Sequence, residues 1–317
     1  MSLSKKIPLL LALSLASAGL CSCVSQGKHF VNYAYGYGTT WEIHLYQGEA
    51  KNGEEIVSYI NDTSKILDRN QTDCKNGVYV LNKAGKVEAD PFLLEAFALA
   101  ETIKAASRGA FSITIGSLTE AWLSSLEEGK VLEETRKEAL LEEARGTQIS
   151  IEGNLVTKTG KGTVDFGAIG KGLCLDHIEK MLKEKGITQY LINAGSSSLL
   201  VGEAPEGDGS IKVSLSDAKG KYFRAKNCAI SASSIAKQRY VIDNKTYSHI
   251  IDPRTGDAHV EGQGLYLKGT GAGLLDGLST AYMVLGKDYL SELEKQGALY
   301  AYVENGEVSH ASQGFIL

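Results

Sequence analysis

Residues 162–176, GTVDFGAIGKGLCLD, constrain this chain more than any other stretch. Gly162, Gly167, Gly170 and Gly172 fall within eleven residues, with Asp165 and Lys171 among them. Residues 164–166 read as a short strand end, and helical periodicity begins at Leu173. Glycines there permit tight backbone geometry and close approach to a ligand. A strand, a turn and a helix N-terminus together favour an anion, through free N–H groups and the helix dipole. The stretch is not a P-loop, because Asp165 stands where that motif needs glycine and Gly172 where it needs Ser or Thr. Nor is it a dinucleotide-binding GxGxxG. Taken alone, it serves structure as readily as a ligand.

The 317 residues suffice for one large or two smaller domains. Strands and helices mix without regular βαβ alternation, and neither a repeat nor a Pro- or Ser-rich linker occurs. The expectation is an α+β chain of mixed or antiparallel sheets with flanking helices, packed as one unit. The first residues differ in character. Lys5 and Lys6 precede an apolar run over residues 7–20, too short to span a bilayer but fitted to a signal-peptide core. Ser22 before Cys23 gives the pattern of a bacterial lipoprotein signal, a plain secretory signal being the other reading. The expected organisation is therefore a signal over 1–22, lipidation at Cys23, a tether over 23–32 and the folded domain over 33–317. Removing the signal takes two lysines and no acid, so the net charge moves from −5 to −7. An acidic chain without basic clusters argues against nucleic acid as partner. Membrane contact is expected through the lipid only. Cys74, Cys174 and Cys228 have no metal or redox spacing and read as small apolar side chains.

Along the chain, residues 40–46 alternate as a strand and 54–67 form an amphipathic helix, followed by a polar loop over 68–77. Residues 90–109 hold the clearest helix: Asp90 caps it, Pro91 takes its first position, Leu94, Phe97, Leu99, Ala100 and Ile103 form a stripe, and Gly109 stops it. A charged helix covers 132–145. Strands are expected at 148–151, 155–158, 190–193, 211–215, 228–232, 238–242 and 264–268. Further helices are expected at 173–185, 274–285 and 288–295. Residues 249–251 read as a strand entering an Asp-Pro-x-x-Gly turn.

Two constellations suggest chemistry. Asp276 and Thr280 lie four apart on one helix face, where a carboxylate and a hydroxyl are hard oxygen donors of the kind Mg²⁺ takes alongside phosphates. An Asp near a helix start also serves as a cap. His249, near Asp252, has the chemistry of a general base or of a structural histidine. No GxSxG occurs, which leaves triad hydrolysis without support.

In this order the pieces resemble the ApbE family of FAD:protein FMN transferases, over residues 38–286. The matching stretches are Gly38-Thr39-Thr40, Gly109-Ala110-Phe111 with Ile113-Thr114-Ile115-Gly116, and Val164-Asp165-Phe166-Gly167-Ala168-Ile169-Gly170-Lys171-Gly172. They continue with Asn193-Ala194-Gly195, His249-Ile250-Ile251-Asp252-Pro253-Arg254-Thr255-Gly256 and Asp276-Gly277-Leu278-Ser279-Thr280-Ala281. The resemblance implies an enzyme that binds FAD with Mg²⁺, splits its pyrophosphate and transfers FMN to a Ser or Thr of a target flavoprotein as a phosphoester. With the lipoprotein signal, it implies a lipid-anchored place in the cell envelope, at the outer face of the cytoplasmic membrane or the periplasmic side. It further implies that Asp276, Thr280 and the carbonyl of Ala168 hold the metal. Tyr37, Ala110, Phe111, Ser112, Asp165, Lys171, His249 and Ile250 would line the FAD site, and His249 would take the proton from the target hydroxyl. An FAD pyrophosphatase and a flavin-binding lipoprotein are the alternatives.

The chain departs from the family pattern in several places. Ser112 replaces an Asp, Ser196 and Ser197 replace a Gly and an acid, and Ala232-Ser233-Ser234 replaces Thr-Ser-Gly. Tyr37 replaces Met, and the 68–77 loop lacks an aromatic. The metal and base positions are intact, so FAD binding with changed affinity is expected.

Overall fold

A computed structural model describes residues 29–236, 238–258 and 260–315, so the signal segment and Cys23 lie outside the described residues. The sheet begins at a two-residue turn. Tyr37 and Gly38 have φ of 55° and 72°, the left-handed pair that a type I′ hairpin demands. The turn joins β1 (Phe30–Gly36) to β2 (Thr39–Leu45). Three residues of the expected tether, Phe30 to Asn32, therefore belong to β1, where they pair with Leu45, His44 and Ile43.

The chain continues through α1 (Ala50–Leu67), α2 (Val78–Ala84), β3 (Lys86–Glu88), α3 (Pro91–Ala106), α4 (Gly116–Glu127) and α5 (Glu134–Arg145). Next come β4 (Gln148–Glu152), β5 (Leu155–Thr159), α6 (Gly170–Glu184), β6 (Tyr190–Ala194) and β7 (Ser198–Val201). Then follow β8 (Ile211–Ser214), β9 (Tyr222–Ala225), β10 (Cys228–Ser234), β11 (Arg239–Ile242), β12 (Lys245–Ser248) and β13 (Gly264–Gly269). The chain closes with α7 (Ala272–Leu285), a 3₁₀ turn at Lys287–Tyr289, α8 (Ser291–Lys295), β14 (Leu299–Glu304) and β15 (Glu307–Ala311). Eight strands form one sheet in the order β1-β2-β6-β7-β10-β13-β14-β15. Every neighbouring pair in it is antiparallel. The α+β expectation holds.

Alternation along β2 buries Trp41, Ile43 and Leu45 on one sheet face. There they join Ile56 and Ile60 of α1, Ile178 and Leu182 of α6, and Leu278 and Tyr282 of α7 in the main core. On the other face the β8–β9 hairpin brings Phe223 against Phe315, Val201, Ile230 and Val303. A third cluster unites Leu118, Trp122 and Leu126 of α4 with Leu140 and Leu141 of α5 and with Ile251 and Ala258. In α3 the Asp90 side chain accepts from the Phe92 amide at 2.8 Å, as its capping role requires. Its buried face is Phe92, Leu93, Ala96, Phe97, Ala100 and Ile103, while Leu94 and Leu99 lie at the margin.

Helices α6 and α7 are bound end to end by an exchange of carboxylates. Asp176 of α6 accepts from the amides of Ala272 (2.5 Å) and Gly273 (2.9 Å) in the first turn of α7. Asp276 of α7 accepts from the amide of Gly172 in the first turn of α6 at 2.8 Å. Each carboxylate thus satisfies amide donors that a helix start leaves unpaired and faces the positive end of the partner's dipole. The approach is close: a Cβ added at Gly172 would stand 2.3 Å from the Ala272 carbonyl oxygen.

Three local expectations are corrected. Residues 164–166 join no sheet; the segment is held by one parallel bridge, Ile115 to Thr163, and by an Asp165 amide donating to the Ile113 carbonyl at 2.8 Å. His249 is not in a strand, because β12 ends at Ser248, whose hydroxyl accepts from the Ile250 amide at 3.1 Å and turns the chain out of the ladder. The last helix is interrupted, with the 3₁₀ turn preceding α8.

Gly172→Ala is expected to cost about 2–3 kcal/mol by overpacking, because the neighbour is backbone and cannot rotate away. Chemical denaturation measures this, and a loss below 0.5 kcal/mol, roughly the scale of a neutral surface change, would refute the close approach.

Candidate active site

The site is built on the junction of α6 and α7. Asp276 is buried, at 4% exposure. Besides the Gly172 amide, its carboxylate accepts from the Ser198 hydroxyl, 2.8 Å to Oδ1 and 3.0 Å to Oδ2. Further hydroxyls crowd beside it. Ser279 donates to the Asp276 carbonyl at 2.9 Å and lies 3.1 Å from Ser231 and 2.8 Å from Ser233. Thr280 Oγ1 stands 3.3 Å from the same carbonyl and 3.2 Å from Ser233 Oγ. Burial pushes the Asp276 carboxyl up to about 6, against Lys171, the Ser231 and Ser198 hydroxyls and the Gly172 amide, which all favour its charged form. That rise corresponds to about 3 kcal/mol set against the ionised carboxylate. A cation placed beside it would relieve that cost.

The donors at hand suit a small hard cation. They are the Asp276 carboxylate and the Thr280 hydroxyl, both oxygen, with the Ala168 carbonyl the third donor that the family resemblance implies. Because the Gly172 amide turns to Asp276, the Ala168 carbonyl one turn back accepts no backbone amide among the described residues. No cluster of three His, Cys, Asp or Glu side chains suited to a metal occurs among the described residues. Any ion here would rely on a phosphate-bearing ligand for the rest of its shell.

Lys171 stands one residue before Gly172, whose amide meets this carboxylate. Its positive charge acts on both Asp276 and His249. Burial, and then Lys171, lower the His249 pKa, so the imidazole is neutral near pH 7. Its Nδ1 is buried without a hydrogen-bond partner. The loop carrying it is held rigidly. Trp122 donates to the Gly256 carbonyl at 2.7 Å, and Arg145 to the Arg254 carbonyl at 2.6 Å. Asp252 accepts from the Arg254 amide at 2.8 Å and pairs with its guanidinium, also at 2.8 Å. Ile250 and Ile251 fall in different clusters, so His249 stands between two cores.

The residues expected to face the nucleotide divide into two groups. Asp165 is a part-exposed polar group: its Oδ1 accepts from the Gly167 amide at 2.6 Å, and its Oδ2 meets Arg69 Nε at 3.2 Å. Arg69 also donates to the Gly116 carbonyl at 3.1 Å and to Glu120 at 3.2 Å. Ser112 is occupied locally, 3.0 Å from the Thr114 hydroxyl and accepting from the Thr114 amide at 3.2 Å. Ala110, Phe111 and Ile250, by contrast, place their side chains in the core, and the Ala110 amide donates to the Ser107 carbonyl at 2.9 Å and the Ile250 amide to the Ser248 hydroxyl. Tyr37 packs beneath the glycine turn: a Cβ at Gly170 would touch its ring at 2.9 Å, and Trp41 is tilted against it at 5.8 Å. Ser196 has φ 69°, a geometry glycine adopts at no cost, and its amide donates to the Asn193 side chain at 2.8 Å.

Sequence reasoning did not single out Arg69, Asp176, Ser198 or Ser231. The 68–77 loop read only as polar, and nothing local ties a serine in one strand to a carboxylate in a distant helix.

Comparisons place these features in a family. A family model described as the ApbE family matches residues 37–303. The FAD:protein FMN transferase of Klebsiella pneumoniae strain 342 is 23% identical, over 85% of this chain and 83% of that one. The protein of the same name from Escherichia coli K12 is 24% identical, over 84% and 81%. Among solved structures, the ApbE protein of Thermotoga maritima superposes with a TM-score of 0.78 at 21% identity, covering 90% of this chain and 97% of its own. The apo form of the flavinyl transferase ApbE of Pseudomonas stutzeri gives 0.77 at 23% identity, covering 92% and 96%. With the family's pattern matched from the Tyr37 turn to the end of β14, this chain belongs to the ApbE family.

Proposed function

We propose that this chain is a Mg²⁺-dependent FAD:protein FMN transferase. On this reading it attaches FMN through a phosphoester bond to a Ser or Thr of an exported or membrane flavoprotein. One observation carries the reading: the buried Asp276 carboxylate accepts from the Gly172 amide at the glycine-lined start of α6, directly after Lys171, with the Ser198 hydroxyl as its second partner. The names of the relatives support the same activity.

Asp276, Thr280 and the Ala168 carbonyl would hold Mg²⁺, whose chemistry there would be to neutralise charge on the pyrophosphate. Lys171 adds a second positive charge where phosphates would lie. Phosphoryl transfer needs positioning and charge neutralisation more than covalent participation. His249, neutral and fixed by its loop, accepts the proton of the acceptor hydroxyl while the new O–P bond forms and the bond to AMP breaks. Ser198 orients Asp276 and is a positioning residue. Lys5, Lys6, the apolar run and Cys23 support export and lipid anchoring in the cell envelope.

Asp276→Ala is expected to weaken Mg²⁺ binding more than 100-fold by calorimetry, roughly the loss of a principal ligand, and to abolish FAD turnover while the fold is kept. In the parent chain the raised pKa means that Asp276 is protonated below about 6 and charged above it. Mg²⁺ affinity should therefore fall about tenfold per pH unit below that value and level off above it. A flat profile from pH 5 to 8, roughly the range that brackets this titration, would remove Asp276 from the metal site.

Ser198→Ala should lower Mg²⁺ affinity about tenfold, with recovery in Ser198→Thr; equal affinity in all three would leave Ser198 merely structural. His249→Ala should slow transfer to protein by about 10²–10⁴ and leave the Kd for FAD within a few-fold. Intact mass of a flavoprotein target, incubated with FAD and with or without Mg²⁺, reads the transfer directly. Free FMN and AMP with an unmodified target would make the chain an FAD pyrophosphatase instead.

A further inference from the structure

We propose that the outer face of β1 rests on the bilayer surface, so that the anchored enzyme lies along the membrane rather than swinging above it. The proposal builds on the reading of Cys23 as the lipidated residue. Only Val24 to Lys28 separate Cys23 from His29, where the described structure begins. Even fully extended, that spacer spans at most about 20 Å, so the start of β1 is held beside the headgroups.

The surface presented there is unusual for a sheet edge. β1 is the first strand in the sheet order and reads FVNYAYG, without a charge or a proline. Edge strands normally carry such residues as protection against unwanted pairing. Its outward positions are Val31, Tyr33 and Tyr35, exposed at 40, 64 and 70%. Single exposed apolar residues need no explanation, but three in a row on one face, at the anchored end of the domain, form a stripe. Across the ladder the face continues through His44, Glu42 and Thr40, which pair with Val31, Tyr33 and Tyr35. At its anchored end the rings of His29 and Tyr46 stack at 4.6 Å, and those of His29 and His44 at 5.2 Å.

Tyrosine suits a bilayer interface because its ring enters the apolar boundary while its hydroxyl stays among the headgroups. The chain is acidic overall, so contact through this stripe is apolar rather than electrostatic. The geometry also has a consequence for the reaction. The far end of β1 is the Tyr37–Gly38 turn, with Tyr37 packed under Gly170 at the candidate active site. A strand of seven residues spans about 20 Å. The glycine turn is therefore held near the membrane plane, and acceptor hydroxyls close to that plane are the ones within reach.

The test uses the full chain carrying Tyr35→Trp, extracted from bacterial membranes and reconstituted in phosphatidylcholine vesicles. Trp41 and Trp122 are buried at 0% and 2% exposure, so the unmodified chain supplies a protected background. Mass spectrometry of the N-terminal peptide reads acylation of Cys23, and bromine-labelled phosphatidylcholine reads contact. The expected result is an acylated Cys23 and loss of about half of the added indole emission, unchanged in high salt because the contact is apolar. An acylated chain whose added indole is quenched no more than the background would overturn the membrane face and leave the anchor standing. An added indole that bromolipid leaves unquenched but that a target flavoprotein shields from an aqueous quencher would likewise overturn it, assigning the stripe to a protein partner. Absence of an acyl group on Cys23 would overturn the anchor, and this placement with it.

Discussion

The exchange of carboxylates between α6 and α7 is the constraint on which the candidate site depends. Two helix starts brought together would normally repel, because both present positive dipole ends and unpaired amides. Here Asp176 and Asp276 each insert a negative charge into the other helix's first turn. Absence of a side chain at Gly172 allows the contact. Burial raises the pKa of both carboxylates, so the junction holds charge in a place that resists it. At Asp176 two amides compensate. At Asp276 only one amide is engaged, with the Ser198 hydroxyl as its other partner.

The rest of the architecture delivers groups to this junction. The antiparallel sheet supplies Ser198 from β7 and Ser231 and Ser233 from β10, on the face that α7 covers. The α4–α5 unit does not touch Asp276; it clamps the loop that carries His249, through Trp122 and Arg145. Arg69 fixes Asp165 from a third direction. Such rigidity holds together groups from segments that could otherwise move independently, as a reaction that proceeds by positioning and charge neutralisation requires.

Much of this was legible in the sequence where the signal is local. The Asp90-Pro91 start of α3, the strand of alternating residues at Trp41, Ile43 and Leu45, and the shared helix face of Asp276 and Thr280 all follow from short-range periodicity and capping. Helix α4 escaped because Ile115 supplies no capping side chain to announce its start. β12 is a short strand whose tight turn, Asp243 and Asn244, has both φ values positive. Its end before His249 is decided by the Ser248 hydroxyl, a choice that hydrophobic pattern does not encode. The 164–166 segment has the composition of a strand, yet the one bridge falls on the preceding Thr163, and the backbone N–H and C=O of Val164 turn to the Asn82 side chain.

By itself, the sequence determined the α+β class, the main helices and the residue types able to do chemistry: Asp165, Lys171, His249, Asp276 and Thr280. Those depend on neighbours a few residues away, and the chain states them directly. Only the tertiary structure decided that Ser198 would hold Asp276, that Arg69 would hold Asp165, and that the Gly172 amide would turn to Asp276. Ser198 and Asp276 are 78 residues apart, and Gly172 and Asp276 are 104 apart. Contacts at such separation are set by how the sheet and helices close on a common core. The burial that shifts the pKa of Asp276 up and of His249 down arises from that closure alone, since desolvation is a property of the surroundings and not of the residue.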